Sequence, residues 1–413
     1  MTARAIVADA TRPRFDALPP LSLYIHVPWC ERKCPYCDFN SHEARGEIPE
    51  DAYVDALLAD LEGALPQVWG RKVISVFIGG GTPSLLSVAA VDRLLGGVRA
   101  RLPLLAGAEI TLEANPGTFE RDRFAGYFAA GVNRLSLGVQ SFDDRHLQSL
   151  GRIHDARQAR LAAESALMIF GNVNLDLMFA LPDQTLEQCE ADVAAALSFA
   201  TPHLSFYQLT LEPNTLFHRR PPSLPDADLA ADMQQHVASR LAGAGYARYE
   251  VSAYARDGRT CAHNLNYWRF GDYLGIGAGA HAKLSFADRI VREVRWKQPR
   301  QYMDNVTSGE PRMEHREVRR DEIGFEFMLN ALRLSEGVAA STFAERTGYP
   351  IALVSRALEE GVRRGLLVED PSRIAATELG FRFLNRTIEL FLVDAPQPAA
   401  RAATFVALGE SPT

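Results

Sequence analysis

The chain has 413 residues, 44 basic and 51 acidic, for a formal charge of −7. Its 47% hydrophobic and 23% charged residues are those of a globular protein and exclude a disordered or collagen-like chain. The acidic balance argues against a broad nucleic-acid surface, no run approaches the roughly 18 apolar residues of a membrane span, and five cysteines are a low, odd count for a disulfide scaffold.

Residues 1–19 read as a polar tail with no apolar secretory core, so a reducing cytoplasm is the expected compartment. Strand formers fill 21–27, and Pro28 stops them. The pattern then predicts a helix over 48–65, with Pro49 and Glu50 in its first turn, and a strand over 73–78 before Gly79-Gly80-Gly81-Thr82-Pro83. Helices follow over 88–102, 121–130, 156–170, 186–199 and 226–244, and strands over 109–113, 134–139, 173–179 and 203–211. This repeated strand-then-helix order predicts a parallel sheet, either doubly wound or a barrel. Gly79, Glu113, Gln140, Asp176 and Gln208 fall at or near strand ends, where such sheets carry their sites. From about Tyr249 the pattern changes. Residues 256–281 read as a Gly-, Asn- and aromatic-rich structured loop, and 321–391 as three helices and short strands near Leu367 and Ile374. The predicted organisation is a tail 1–19, an α/β region 20–255, a connector 256–312, a mostly helical module 313–391 and a tail 392–413. That module holds 13 acidic and 11 basic residues between Met313 and Phe391 with no basic stripe, which argues against nucleic-acid binding.

Cys30, Cys34 and Cys37 follow the first strand with spacing C-x3-C-x2-C. Clustered thiolates suit zinc or an iron–sulfur cluster. A structural zinc site usually takes four protein ligands, whereas three leave one metal position open for a substrate. Asp176 lies among apolar strand residues, and burial demands a partner for it: a ribose hydroxyl or Arg152. His263-Asn264-Leu-Asn-Tyr267-Trp268 sets a histidine beside aromatic rings, which suits either heme ligation or a hydrogen-bonded structural turn. Cys261 and His281 are further heme-ligand candidates, and Cys189 reads as a small core residue on a helix.

The segment Tyr24-Ile-His-Val-Pro-Trp-Cys30-Glu-Arg-Lys-Cys34-Pro-Tyr-Cys37 resembles the cluster loop of radical S-adenosylmethionine (SAM) enzymes. In that family three cysteines hold a 4Fe–4S cluster and SAM chelates the fourth iron. The resemblance runs in order over most of the chain and is strong to the oxygen-independent coproporphyrinogen III oxidase group. It implies an α/β fold: a partial (β/α)6 TIM-type barrel with a C-terminal, mostly helical, winged-helix-like domain. It also implies Cys30, Cys34 and Cys37 as cluster ligands. Tyr24, Tyr36, Gly80, Gly81, Thr82, Glu113, Gln140, Arg152 and Asp176 are implied around SAM.

Two departures matter. The decarboxylating oxidases of the group carry another cysteine two residues after the third cluster cysteine, where this chain has Phe39. They also have a longer N-terminal arm. With the H-N-x-x-Y-W pattern, these departures resemble the group's heme-chaperone branch. That branch implies heme as cargo, held near His263, Asn264, Tyr267 and Trp268. It implies heme-accepting respiratory membrane proteins as partners and a cluster-dependent homodimer. The expected location is the cytoplasm, peripheral to the inner face of the membrane through those partners. The alternative is a radical SAM coproporphyrinogen III dehydrogenase, which decarboxylates its substrate oxidatively through a SAM-derived radical.

Overall fold

The computed structural model describes residues 11–117 and 120–392. The rest of the two expected tails lies outside the described residues.

Six parallel strands appear in chain order: β1 (Leu21–Val27), β2 (Val73–Gly80), β3 (Leu104–Ala114), β4 (Arg134–Gln140), β5 (Val173–Phe179) and β6 (His203–Gln208). They also neighbour one another in that order, so no strand reversal creates a doubly wound sheet. Same-handed crossovers between successive neighbours put every helix on one face and curl the sheet around the other. Those helices are α1 (Glu50–Val68), α2 (Val88–Arg101), α3 (Glu120–Ala130), α4 (Ala156–Ile169), α5 (Leu186–Ser198) and α6 (Ala227–Gly243). Several starts are legible as caps. The Ser87 hydroxyl accepts from Ala90 N–H, and Asp155 with Gln158 and Thr185 with Gln188 form capping boxes.

The strands alternate strictly. Leu21, Leu23, Ile25, Leu135, Leu137, Val173, Leu175 and Leu204 pack under the helices in the main core. The intervening residues turn inward and are mostly polar, Ser22, Ser75, Glu113, Ser136, Asn174, Asp176, His203 and Ser205 among them, with the Tyr24 and Phe77 rings beside them. The concave side is therefore a hydrogen-bonded surface rather than a filled apolar core.

Residues 256–281, expected as a loop, instead hold a helix α7 (Ala262–Trp268) and a strand β9 (Asp272–Ile276). The strand pairs in parallel with the free side of β1, Leu21 opposite Asp272 through Ile25 opposite Ile276. Antiparallel β10 (His281–Phe286), β11 (Arg289–Arg295) and β12 (Arg312–Glu317) extend that side, so the segment expected as a connector is built into the sheet. At the other edge β7 (Ala247–Arg248) and β8 (Ala253–Ala255) complete a twelve-stranded sheet. This is a partial barrel; among the described residues its edges, β12 and β7, do not pair.

The C-terminal module has its own core of Phe327, Met328, Phe343, Val354, Leu367 and Ile388. Helices Ile323–Ala331, Ser341–Thr347 and Ser355–Arg363 surround it, and Val338–Ala339 pairs antiparallel with Arg373–Ile374. Phe270 and Ile290 of the sheet region join that core, and Arg14 N–H donates to Gly348 O at 2.9 Å. Arg14 thereby ties the segment before β1 to the module.

Candidate functional site

At the carboxyl ends of the parallel strands lies a cleft of about 400 Å³, lined by Cys30, Cys34, Tyr36, Cys37, Gly80, Gly81, Thr82, Glu113, Gln140, Arg152 and Asp176. Local pairing explains how the cysteine loop is held there. Trp29–Cys30 runs parallel to His42–Glu43, and Ala44 N–H donates to Cys30 O at 2.8 Å, which closes the loop at its base. Lys33 donates to the carbonyls of Phe39 and Ser41 across it. The Gly79–Thr82 turn packs underneath. Gly80 has φ +115, and a Cβ on Gly81 would sit 2.5 Å from the Trp29 carbonyl, so glycine is required at both positions. Gly81 and Thr82 N–H groups donate to Val27 and Trp29 carbonyls.

The polar groups interlock. Glu113 accepts from Gly80 N–H at 3.1 Å. Burial, with the Asp176 carboxylate nearby, pushes its pKa up to about 8. Arg152 donates to Asn115 Oδ1 at 2.6 Å, to Gly138 O at 2.8 Å and toward Cys34 Sγ at 3.7 Å, while its buried Nε has no partner. Asn115 in turn donates to Thr82 Oγ1. Gln140 sits at a register shift of β4 with φ +68, a left-handed conformation that a non-glycine residue adopts at a cost.

Two expectations change. Asp176 is held by Ser136 at 2.7 Å and Asn174 at 2.9 Å, not by Arg152. Strand alternation places Ser136 and Asn174 on its own face, and Arg152 is committed elsewhere. Tyr24 does not line the cleft. It lies deeper in the barrel, hydrogen-bonded to His26 Nδ1 at 3.0 Å, with its ring 6.3 Å from Phe77. Asn115, Ser136 and Asn174 were missed by the sequence reading, although each continues the period-two polar face of a strand.

The H-N-x-x-Y-W residues sit at the opposite end, on α7, which plugs the strand starts. His263 is 8% exposed, its Nδ1 is 3.2 Å from Ser75 Oγ and its ring 5.0 Å from Phe77. Burial and the Arg134 charge lower its pKa to about 3. Glu109 accepts from Cys261 Sγ and from the N–H groups of Ala262 and His263, and faces buried Arg134. Asn266 is tied to Ser22 and to Asp272 O. Half-buried Tyr267 and Trp268 stack edge to face, with Arg333 over the indole at 4.4 Å. His263 points inward, as the hydrogen-bonded structural turn requires, because α7 is drawn into the barrel by Glu109 and Ser75. Cys261 is also buried, whereas His281 is exposed, and Cys189 lies in the core.

The model of the radical SAM superfamily matches residues 24–196, and that of the HemN C-terminal domain residues 318–383. The heme chaperone HemW of Escherichia coli is 52% identical over 91% of this chain and 99% of its own length. Those of Haemophilus influenzae and Bacillus subtilis are 47% and 35% identical, over 91% and 90% of this chain. The chain belongs to the HemW family. Among solved structures, coproporphyrinogen III oxidase (HemN) from E. coli superposes with a TM-score of 0.78 at 25% identity, covering 91% of this chain and 90% of that one. This chain and HemN thus share the barrel and the C-terminal module.

Radical SAM membership brings a 4Fe–4S cluster and SAM, and the donor set fits both. The three thiols border one cleft together with the polar groups above, which places three soft ligands on one side of it and leaves room for a further donor. The partnerless Arg152 Nε, buried on the cleft wall, marks a place for a polar ligand.

Proposed function

We propose that this chain binds heme and hands it to acceptor proteins, with a SAM-bearing 4Fe–4S cluster in the barrel mouth. The observation that carries this reading is the 52% identity to a heme chaperone over 99% of that protein's length. Phe39, 60% exposed on the cleft wall, stands where the decarboxylating oxidases carry a further cysteine and supplies no thiol.

Cys30, Cys34 and Cys37 would hold three irons of the cluster and leave the fourth to SAM. When bound, that pair supplies one-electron chemistry. The chain's own residues do the positioning: the Gly80–Gly81 turn and Thr82 let the backbone approach the amino-acid end of SAM, and Glu113 accepts from its donors. Arg152 offers its open Nε to a carboxylate, Asp176 and Gln140 take hydroxyls, and Tyr36 closes the loop side.

Heme would bind at α7. A ligating role for His263 requires the helix to swing out of the barrel base, carrying Tyr267 and Trp268 to pack on the porphyrin. Asn264 is half-buried in the same turn. The acceptors are respiratory membrane proteins. Among the described residues no helix is long and apolar enough to cross a membrane, so contact with them would be peripheral. A cluster-dependent homodimer is part of the same reading.

The test is transfer. Heme-loaded, cluster-reconstituted protein is mixed with vesicles carrying a heme-free respiratory cytochrome and followed by the acceptor's absorbance. Reconstitution of the acceptor, with no CO₂ released from coproporphyrinogen III in the presence of SAM and a reductant, is expected. CO₂ release without heme transfer would replace this reading with the dehydrogenase.

A further inference from the structure

The inward polar face of the barrel joins the cleft to α7 through a continuous line of hydrogen bonds. Asp176 accepts from Asn174 Nδ2 at 2.9 Å. A carboxylate only accepts, so the Asn174 amide is oriented with its oxygen toward His203, whose Nδ1 lies 2.6 Å away. His203 is 1% exposed, and burial beside the Arg134 charge keeps it neutral. Its single proton is on Nδ1, because Asn174 Oδ1 has none to give. Nε2 is then an acceptor, and the Tyr249 hydroxyl, 2.8 Å away, donates to it. The Tyr249 oxygen accepts in turn from the N–H of Cys261 at 3.3 Å, the residue that opens α7. The direction of every bond is therefore fixed between a backbone donor at the barrel base and a carboxylate in the cleft.

Such a chain transmits a change at either end. A ligand hydroxyl on Asp176 competes with Asn174 and Ser136 for the same two oxygens. Each bond in a desolvated network polarises its neighbours. At the far end, Cys261 is one of the few anchors that hold α7 in the barrel, next to the Glu109 carboxylate.

We propose that His203 and Tyr249 are positioning residues that couple the SAM cleft to α7, so that filling the cleft changes the hold on the helix and with it the affinity for heme. The inference rests on the heme-binding reading above and adds its regulation. Linkage makes the coupling reciprocal: heme must change SAM affinity by the factor by which SAM changes heme affinity.

The test uses the full chain with its cluster reconstituted and two readouts. One is amide exchange over 261–268 with and without SAM, which needs no heme. The other is the heme Kd with and without SAM. In the wild type, SAM should alter exchange in this segment and shift the heme Kd at least about fivefold. Tyr249→Phe deletes one hydroxyl and keeps the ring. It should bind SAM and heme separately, yet reduce the shift to within about twofold and abolish the exchange response. If that variant does not fold, His203→Gln carries the same expectation. Tyr246→Phe is the control: its hydroxyl donates to Thr201 O at 2.6 Å, off the chain, and the full shift should survive. Wild-type coupling in Tyr249→Phe, or no exchange response to SAM in the wild type, would overturn the proposal. An intact exchange response with no heme binding would support the link and overturn the heme reading.

Discussion

At the carboxyl ends of the strands, polar groups are left with capacity to spare: Arg152 has a buried Nε with no partner, and Glu113 is held near neutrality. At the amino ends the opposite holds. Ser75 engages His263, Glu109 accepts from three donors at the start of α7, and Asn266 reaches three acceptors. One end is built to receive ligands, and the other is closed by its own motif. The comparison teaches that a sequence signature reports chemistry only together with its burial. The cysteines are available as they stand, whereas His263 becomes available only if its helix moves.

The largest effect should come from the open end. Replacing Cys30, Cys34 and Cys37 together by Ala should abolish the iron–sulfur absorbance after reconstitution and leave the far-UV circular dichroism unchanged. These thiols serve no core, so a lost fold would contradict their role as free ligands. At the closed end, Glu109→Ala should cost about 3 kcal/mol in denaturant unfolding, because it strips buried Arg134 of its partner and uncaps α7. A loss under about 1 kcal/mol would mean that α7 is not held by that carboxylate.

Glu113 gives the sign of a pH effect. Its folded pKa of about 8 lies above the ordinary 4.5. The folded state therefore keeps a proton that the unfolded chain loses between those values. The associated stability is complete below pH 4.5 and is lost as pH rises toward 8. Glu113→Gln should remove that slope and raise Tm by about 3 °C at pH 8 with little change at pH 5. An equal shift at both values would assign the effect to packing. The smallest effect belongs to Lys33→Ala. Its two bonds across the exposed cysteine loop should be worth at most about 1 kcal/mol, seen as faster amide exchange over 31–41.

Much of the barrel was legible because most of the parallel strands alternate apolar with polar residues and most of the helices carry a cap at the start. Strand 173–179 and helix 88–101 emerge almost to the residue. The three helices of the C-terminal module and its short strands near Leu367 and Ile374 were legible too, but the stretch between Tyr249 and that module was not. Helix α7 has no side-chain cap of its own; Glu109, more than 150 positions away, accepts from its first N–H groups. Strands β10 and β11 carry Lys283, Glu293 and Arg295, charges that discourage a strand reading. They are buried because Lys283 meets Asp272 and Arg295 meets Asp60 and Glu293. Such pairings exist only in three dimensions. For the same reason the cleft residues were visible as motifs, while the burial of His263 and the support of Asp176 by Asn174 and Ser136 were not.

The most direct test of the central claim is an anaerobic heme titration of the cluster-reconstituted protein, followed at the Soret band beside His263→Ala. The account predicts saturable binding of one heme per chain, weakened about tenfold or more in the variant while the cluster absorbance is unchanged. No saturable binding, or equal affinity in the two proteins, would contradict it and leave α7 as nothing more than the plug of the barrel.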